Sequence, residues 1–189
     1  YGTVDDRASW RHPMTEPPPH PSFDAYAAGE IADRVEAAGV AKCRLSTLQT
    51  LMLGFLAGAF IAFGAMFYTV TITGSPFGFG PTRALGGVAF SLGLILVIVG
   101  GAELFTGNNL IVMAWASGQV TLSDLLRNWG LVLAGNAAGA LAAAVAVKLS
   151  GVLGIGGGAM AETAVGIALG KVHLTTAQAF FRGVLCNAL

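Results

Sequence analysis

Glu103-Leu104-Phe105-Thr106-Gly107-Asn108-Asn109 interrupts a long apolar stretch, with residues 84–101 on one side and residues 110–116 on the other. An ionisable group amid apolar runs of this length marks a functional position by default, because a charge at membrane depth is costly. Gly107, Asn108 and Asn109 favour turns and left-handed backbone. The seven residues read either as a polar loop between two short helices or as a break in one membrane segment. Residues 110–116 are too short to span alone, which favours one segment, 84–116, broken at 103–109. Lipid offers backbone no hydrogen bonds, so such a break must be buried in protein or line a wet cavity. Broken helices bring half-helix ends to a substrate site.

The rest of the chain agrees with a membrane setting. It is 54% hydrophobic and 11% charged, with a mean hydropathy of +0.71; soluble domains carry about 25% charged residues. The formal net charge is zero with no basic block, which argues against nucleic-acid binding. Cys43 and Cys186 lie far apart, His12, His20 and His173 are scattered, and no metal or nucleophile motif is present, so neither enzyme, cofactor nor metal site is indicated. Gly154-Ile155-Gly156-Gly157-Gly158 lacks the Lys-Ser/Thr of a phosphate-binding loop and no strand precedes it.

Residues 48–72 form a chargeless run long enough to cross a core of about 30 Å. Gly54, Gly58 and Ala62 make a small-residue stripe along it, and Gly135, Gly139 and Ala143 make another in residues 123–149, the third span, with Ser123 as its cap. Asn136 lies inside that span. Residues 77–81 read as the loop after the first span. Residues 159–169 form a short apolar helix, and residues 173–189 start a fourth span with no stop signal at its end, which predicts that the sequence is cut within that helix.

Residues 1–21 are polar and Pro-rich, lack the apolar run of a signal peptide, and are predicted to be disordered. Met14 is a candidate natural start. Residues 22–42 read as an amphipathic helix capped by Ser22 and ended by Gly39, lying on the membrane surface, against a neighbouring subunit, or on its own loops. The membrane region then runs over residues 46–189. Arg34, Lys42 and Arg44 before the first span, against Arg83 after it, place the N-terminus in the cytoplasm, although Lys148 and Lys171 dilute the bias. By periodicity alone Phe90, Leu94, Leu104 and Phe105 are packing or lipid-facing residues. Lys171 steers anions or snorkels to headgroups; Asn187 donates to a ligand or ties helices together.

Residues 90–96 (Phe-Ser-Leu-Gly-Leu-Ile-Leu) followed by 101–108 (Gly-Ala-Glu-Leu-Phe-Thr-Gly-Asn) resemble the second segment of the formate/nitrite transporter family. Arg127-Asn128-Trp129, Gly135-Asn136 and Gly139-Ala140 resemble its third segment. Lys171-Val172-His173 and residues 183–189 resemble the start of its fourth. The resemblance runs from about Phe23 to the end. It implies an all-α integral membrane protein of the inner membrane, a homopentamer of six-helix, aquaporin-like protomers, of which about three and a half spans are present here. It implies conduction of small monovalent anions: formate first, with nitrite or hydrosulfide as rivals. Phe90 and Leu94 match pore constrictions. Leu104, Phe105, Thr106 and Gly107 match a gating loop. Lys171 and Asn187 match groups that attract the anion and polarise the pore centre. The family's pore histidine lies on a fifth helix, beyond Leu189, and His173 is not its equivalent. A neutral-solute pore lacks its usual Asn-Pro-Ala pair here; a non-transporting scaffold is the remaining alternative.

Overall fold

The structure, a computed structural model, describes residues 26–188, without the side chains of Asn187 and Ala188. The expectations for residues 1–21, Ser22 and Phe23 lie outside the described residues. Helix α1 spans Ala28–Cys43, α2 Thr47–Ile72, α3 Phe79–Val99, α4 Phe105–Asn108, α5 Ile111–Ala116, α6 Leu122–Leu149, α7 Ala159–Val172 and α8 Thr176–Ala188, with a 3-10 turn at Val152–Gly154. Among the described residues α2, α3 and α6 are long and apolar enough to cross a membrane. Their chains of apolar residues pack through small ones, since lipid gives helices no hydrophobic reason to associate.

Glycine fixes how those three helices meet. Gly54 and Gly58 of α2 lie against Val132, Gly135 and Asn136 of α6, while Gly135 and Gly139 lie against Leu51 and Phe55. The two small-residue stripes read from the sequence therefore pack on each other, with α2 and α6 running in the same direction. Gly64 meets Phe90 and Gly93, and Gly86 meets Tyr68 and Ile72, so α3 runs antiparallel to α2. Ala57, Val97 and Ala102 form a buried apolar cluster where α2 meets the end of α3, flanked by Phe60, Ile61 and Leu104.

The structure shifts several boundaries. Helix α2 starts at a capping box in which the Ser46 hydroxyl accepts from Gln49 N–H at 3.3 Å and Gln49 accepts from Ser46 N–H at 3.1 Å. Helix α6 is capped by Thr121 rather than Ser123: Thr121 accepts from Asp124 N–H at 3.1 Å, and Asp124 accepts in return. Helix α3 begins at Phe79, inside the stretch read as loop, with Pro81 in its first turn where no intrahelical N–H is needed. Gly39 does not end α1. It sits inside the helix, buried, where an ideal Cβ would stand 3.2 Å from the Ala114 Cβ of α5. Its missing side chain lets α1 lie close on α5. His173 caps the end of α7, Lys171 is in the last turn of that helix, and α8 begins only at Thr176.

Candidate membrane pore segment

The break starts earlier than its polar residues suggest. Helix α3 stops in a Schellman turn: Gly101 N–H donates to Ile98 O at 3.2 Å and Ala102 N–H to Val97 O at 2.9 Å. Gly101 carries the positive φ of 59° that such a turn requires. Gly107 and Asn108, expected in left-handed or turn conformation, are instead helical, in α4. The reason is tertiary. The Asn108 side chain is used by Glu103 and Asn128, so it does not compete for its own backbone.

From Ala102 to Leu104 the chain is out of helix and must find partners for its backbone. Glu103 N–H donates to Leu53 O of α2 at 3.2 Å. The Asn136 carboxamide takes three more main-chain groups: its Nδ2 donates to Glu103 O at 2.9 Å and to Gly54 O at 2.8 Å, and its Oδ1 accepts from Phe105 N–H at 2.9 Å. Leu53 lies about 9 Å along α2 from its first residue, at 1.5 Å rise per residue. The break is therefore set within the helical layer and not at its surface.

Glu103 is 4% exposed. Its Oε1 accepts from Lys42 Nζ at 2.6 Å and its Oε2 from Asn108 Nδ2 at 2.7 Å. Asn108 Nδ2 also donates to Asn128 Oδ1 at 2.8 Å, and Trp129 Nε1 to Asn108 O at 2.9 Å. A buried carboxylate is tolerable only when paired and hydrogen-bonded, and both conditions hold here. Lys42, Asn108 and Asn128 were not singled out as site residues from the sequence. The available signal was Glu103 itself: an intramembrane carboxylate demands a cation, and Lys42 ends the preceding amphipathic helix. Burial, then the Asp124 carboxylate, pushes the neighbouring Cys43 thiol up, which keeps it a protonated, weak nucleophile.

A pocket of about 290 Å³ opens beside the break, with Lys42, Leu94, Val97, Gly101, Leu104 and Gly107 on its wall. Leu94 and Leu104, expected as constriction and loop residues, are thus brought together. Phe90 lies one helical turn before Leu94 on α3 and is 38% exposed. Phe105 turns the other way and packs edge-on against Trp129, ring centroids 6.2 Å apart. Thr106 and Gly107 are exposed. Lys171 is exposed and is not among the residues lining this pocket. The side chain of Asn187 lies outside the described residues.

Comparison with known proteins bears on the family and the fold. The chain is 39% identical over 168 residues to the formate channel FocA of Escherichia coli (strain K12), covering 88% of this chain and 59% of that protein. It is 37% identical over 163 residues to formate channel FocA of Haemophilus influenzae, covering 85% and 57%. It is 35% identical over 162 residues to formate channel BtFdhC of Bacillus thuringiensis, covering 85% and 62%. The chain therefore spans about three-fifths of the length of these curated relatives. A solved structure described as a pentameric formate channel with formate bound superposes with a TM-score of 0.70 at 39% identity, over 75% of this chain and 56% of that one. Residues 29–189 match the profile described as Formate/nitrite transporter. With a broken membrane segment, a matching profile over most of its length and relatives of this identity, the chain is an all-helical, multi-pass membrane protein and belongs to the formate/nitrite transporter family.

Proposed function

We propose that this chain helps build a conduit for small monovalent anions, formate first among them, in a homopentamer of the inner membrane with its N-terminus in the cytoplasm. One observation carries the reading. The non-helical backbone at the break is held by Asn136 and Leu53 through Glu103 N–H, Glu103 O and Phe105 N–H on one side, while Leu104 opens with Leu94 onto a pocket on the other. Irregular backbone inside a helical layer is tolerated where it borders a cavity, and paired leucines there form an apolar constriction. The name of the solved relative, a pentameric formate channel, supports both the anion and the assembly.

The physics of passage follows. Lys42 borders the pocket, but Glu103 at 2.6 Å matches its charge, so the pair adds little net attraction. Attraction is assigned to Lys171, which is exposed at the end of α7, and polarisation of the pore centre to Asn187. A bare anion meets a high barrier at Phe90, Leu94 and Leu104, since little there replaces its water. The neutral acid crosses more cheaply, which favours proton coupling. In proteoliposomes holding the full-length protein, an inward formate gradient should drive saturable uptake that nitrite and hydrosulfide inhibit in proportion to their own passage. Lys171→Ala should slow uptake most at low ionic strength, where charge steering acts furthest. Glycerol flux without formate flux would sink the anion reading; unchanged uptake in Lys171→Ala would remove that lysine from it.

A further inference from the structure

We infer that Asn136 is a positioning residue that sets the width of the passage, and so the size of anion admitted, by pinning the backbone on both sides of Leu104. The inference rests on the anion-conduit reading above. One carboxamide bonds Glu103 O at 2.9 Å and Phe105 N–H at 2.9 Å, the groups immediately before and after Leu104. The same amide is tied to the α2 backbone through Gly54 O at 2.8 Å. Three of its four hydrogen-bonding positions are thereby used on main chain.

What makes this amide a ruler rather than a tether is where its own backbone sits. An ideal Cβ at Gly58 would stand 2.0 Å from Asn136 O, and one at Gly135 would stand 2.9 Å from Leu51 O. No side chain separates α6 from α2 at this level, so backbone contact fixes the Asn136 Cα. The break therefore hangs from α2 through a rigid, short connection. Leu104 packs beside Ala57, Val97 and Ala102, and Leu94 shares the pocket wall with it. Displacing Glu103 O and Phe105 N–H moves Leu104 relative to Leu94. The donors of the neighbouring amides are already used, Asn108 Nδ2 on Glu103 Oε2 and Asn128 Oδ1 and Asn128 Nδ2 on Lys42 O, so neither can replace Asn136 Nδ2 at Glu103 O.

Removing the carboxamide leaves a part-buried N–H and two carbonyls without this partner, which the segment relieves by moving toward water. The gap between the leucines should then widen. The test compares Asn136→Ala with the parent full-length protein in proteoliposomes, measuring formate, acetate and lactate uptake under equal gradients. The formate-to-lactate ratio is expected to fall by about tenfold, a barrier difference of about 1.4 kcal/mol, with lactate uptake rising in absolute terms. A purely structural role would lower all three fluxes together and leave the ratio unchanged, which would overturn the inference. A second readout does not depend on transport. Leu104→Cys is placed in a protein whose Cys43 and Cys186 are replaced by Ser, and its reaction with methanethiosulfonates of increasing size is timed. Asn136→Ala and the longer Asn136→Gln should both admit larger reagents; equal rates in all backgrounds would overturn the assignment. A parent protein that passes no carboxylate would sink the anion reading, and the thiol rates would still decide the role of Asn136.

Discussion

Glu103→Ala should lower stability by about 3 kcal/mol, enough to remove much of the folded protein from detergent extracts. Glu103 is buried, and both its carboxylate oxygens are occupied, one by Lys42 and one by Asn108. Truncation leaves an ammonium with 31% side-chain exposure and no counter-charge. Lys42 can relieve part of this by extending to water, which is why the lower end of the range for a broken buried pair applies. The pair joins residues 61 apart in sequence, on α1 and on the break, so its loss also loosens α1 from the break. Lys42→Met combined with Glu103→Leu should recover most of the loss, because an apolar pair of similar volume carries no unpaired charge. The thermal midpoints of Lys42→Met, Glu103→Leu and the double variant, taken with the parent as a cycle, measure this coupling directly. A Glu103→Ala protein that melts with the parent would show that no buried ion pair forms.

The sequence alone exposed the break because bilayer physics makes one intramembrane carboxylate conspicuous. The same rule said that Glu103 needs a cation, but not which. Lys42, Arg44, Arg127 and Lys171 were all available, and choosing among them requires the path of the chain. Arg127 instead donates to Thr47 Oγ1 at 2.8 Å and braces the corner between α1 and α2. The non-helical stretch lies between Val99 and Phe105 and not over the polar residues as a whole, because conformation there does not follow composition. Asn108 is polar, yet helical, because its amide is bonded across the fold. Gly101 ends an apolar run, yet it is the residue that turns the chain. The cap of α6 is Thr121 and not the expected Ser123, although Thr121 and Asp124 carry the spacing of a capping box; Gly39 carries no such local signal. Gly39 is followed by helix because α5 lies on it, and nothing near Gly39 in the sequence announces Ala114.

The small-residue stripes yield the other large effect. Gly139→Ala should destabilise more than any ordinary glycine-to-alanine change in a helix. An ideal Cβ at Gly139 would stand 1.9 Å from Phe55 O and 2.9 Å from Ala59 N, both backbone atoms that cannot rotate away. The helices must separate by about 1 Å, and interiors packed like crystals resist that by about 3 kcal/mol or more. Helix propensity alone predicts the opposite sign, because Ala is favoured over Gly by about 1 kcal/mol. Gly130 supplies the control. It lies on the same helix with nothing within 4 Å of its ideal Cβ, so Gly130→Ala should leave stability unchanged or raise it by up to about 1 kcal/mol. Thermal unfolding and monodispersity of the two variants separate the explanations. If both behave alike, the α2–α6 contact is not close, and the rigid placement of Asn136 loses its basis as well. If only Gly139→Ala fails, the contact that brings two membrane helices together is the same one that holds Asn136 beneath the break.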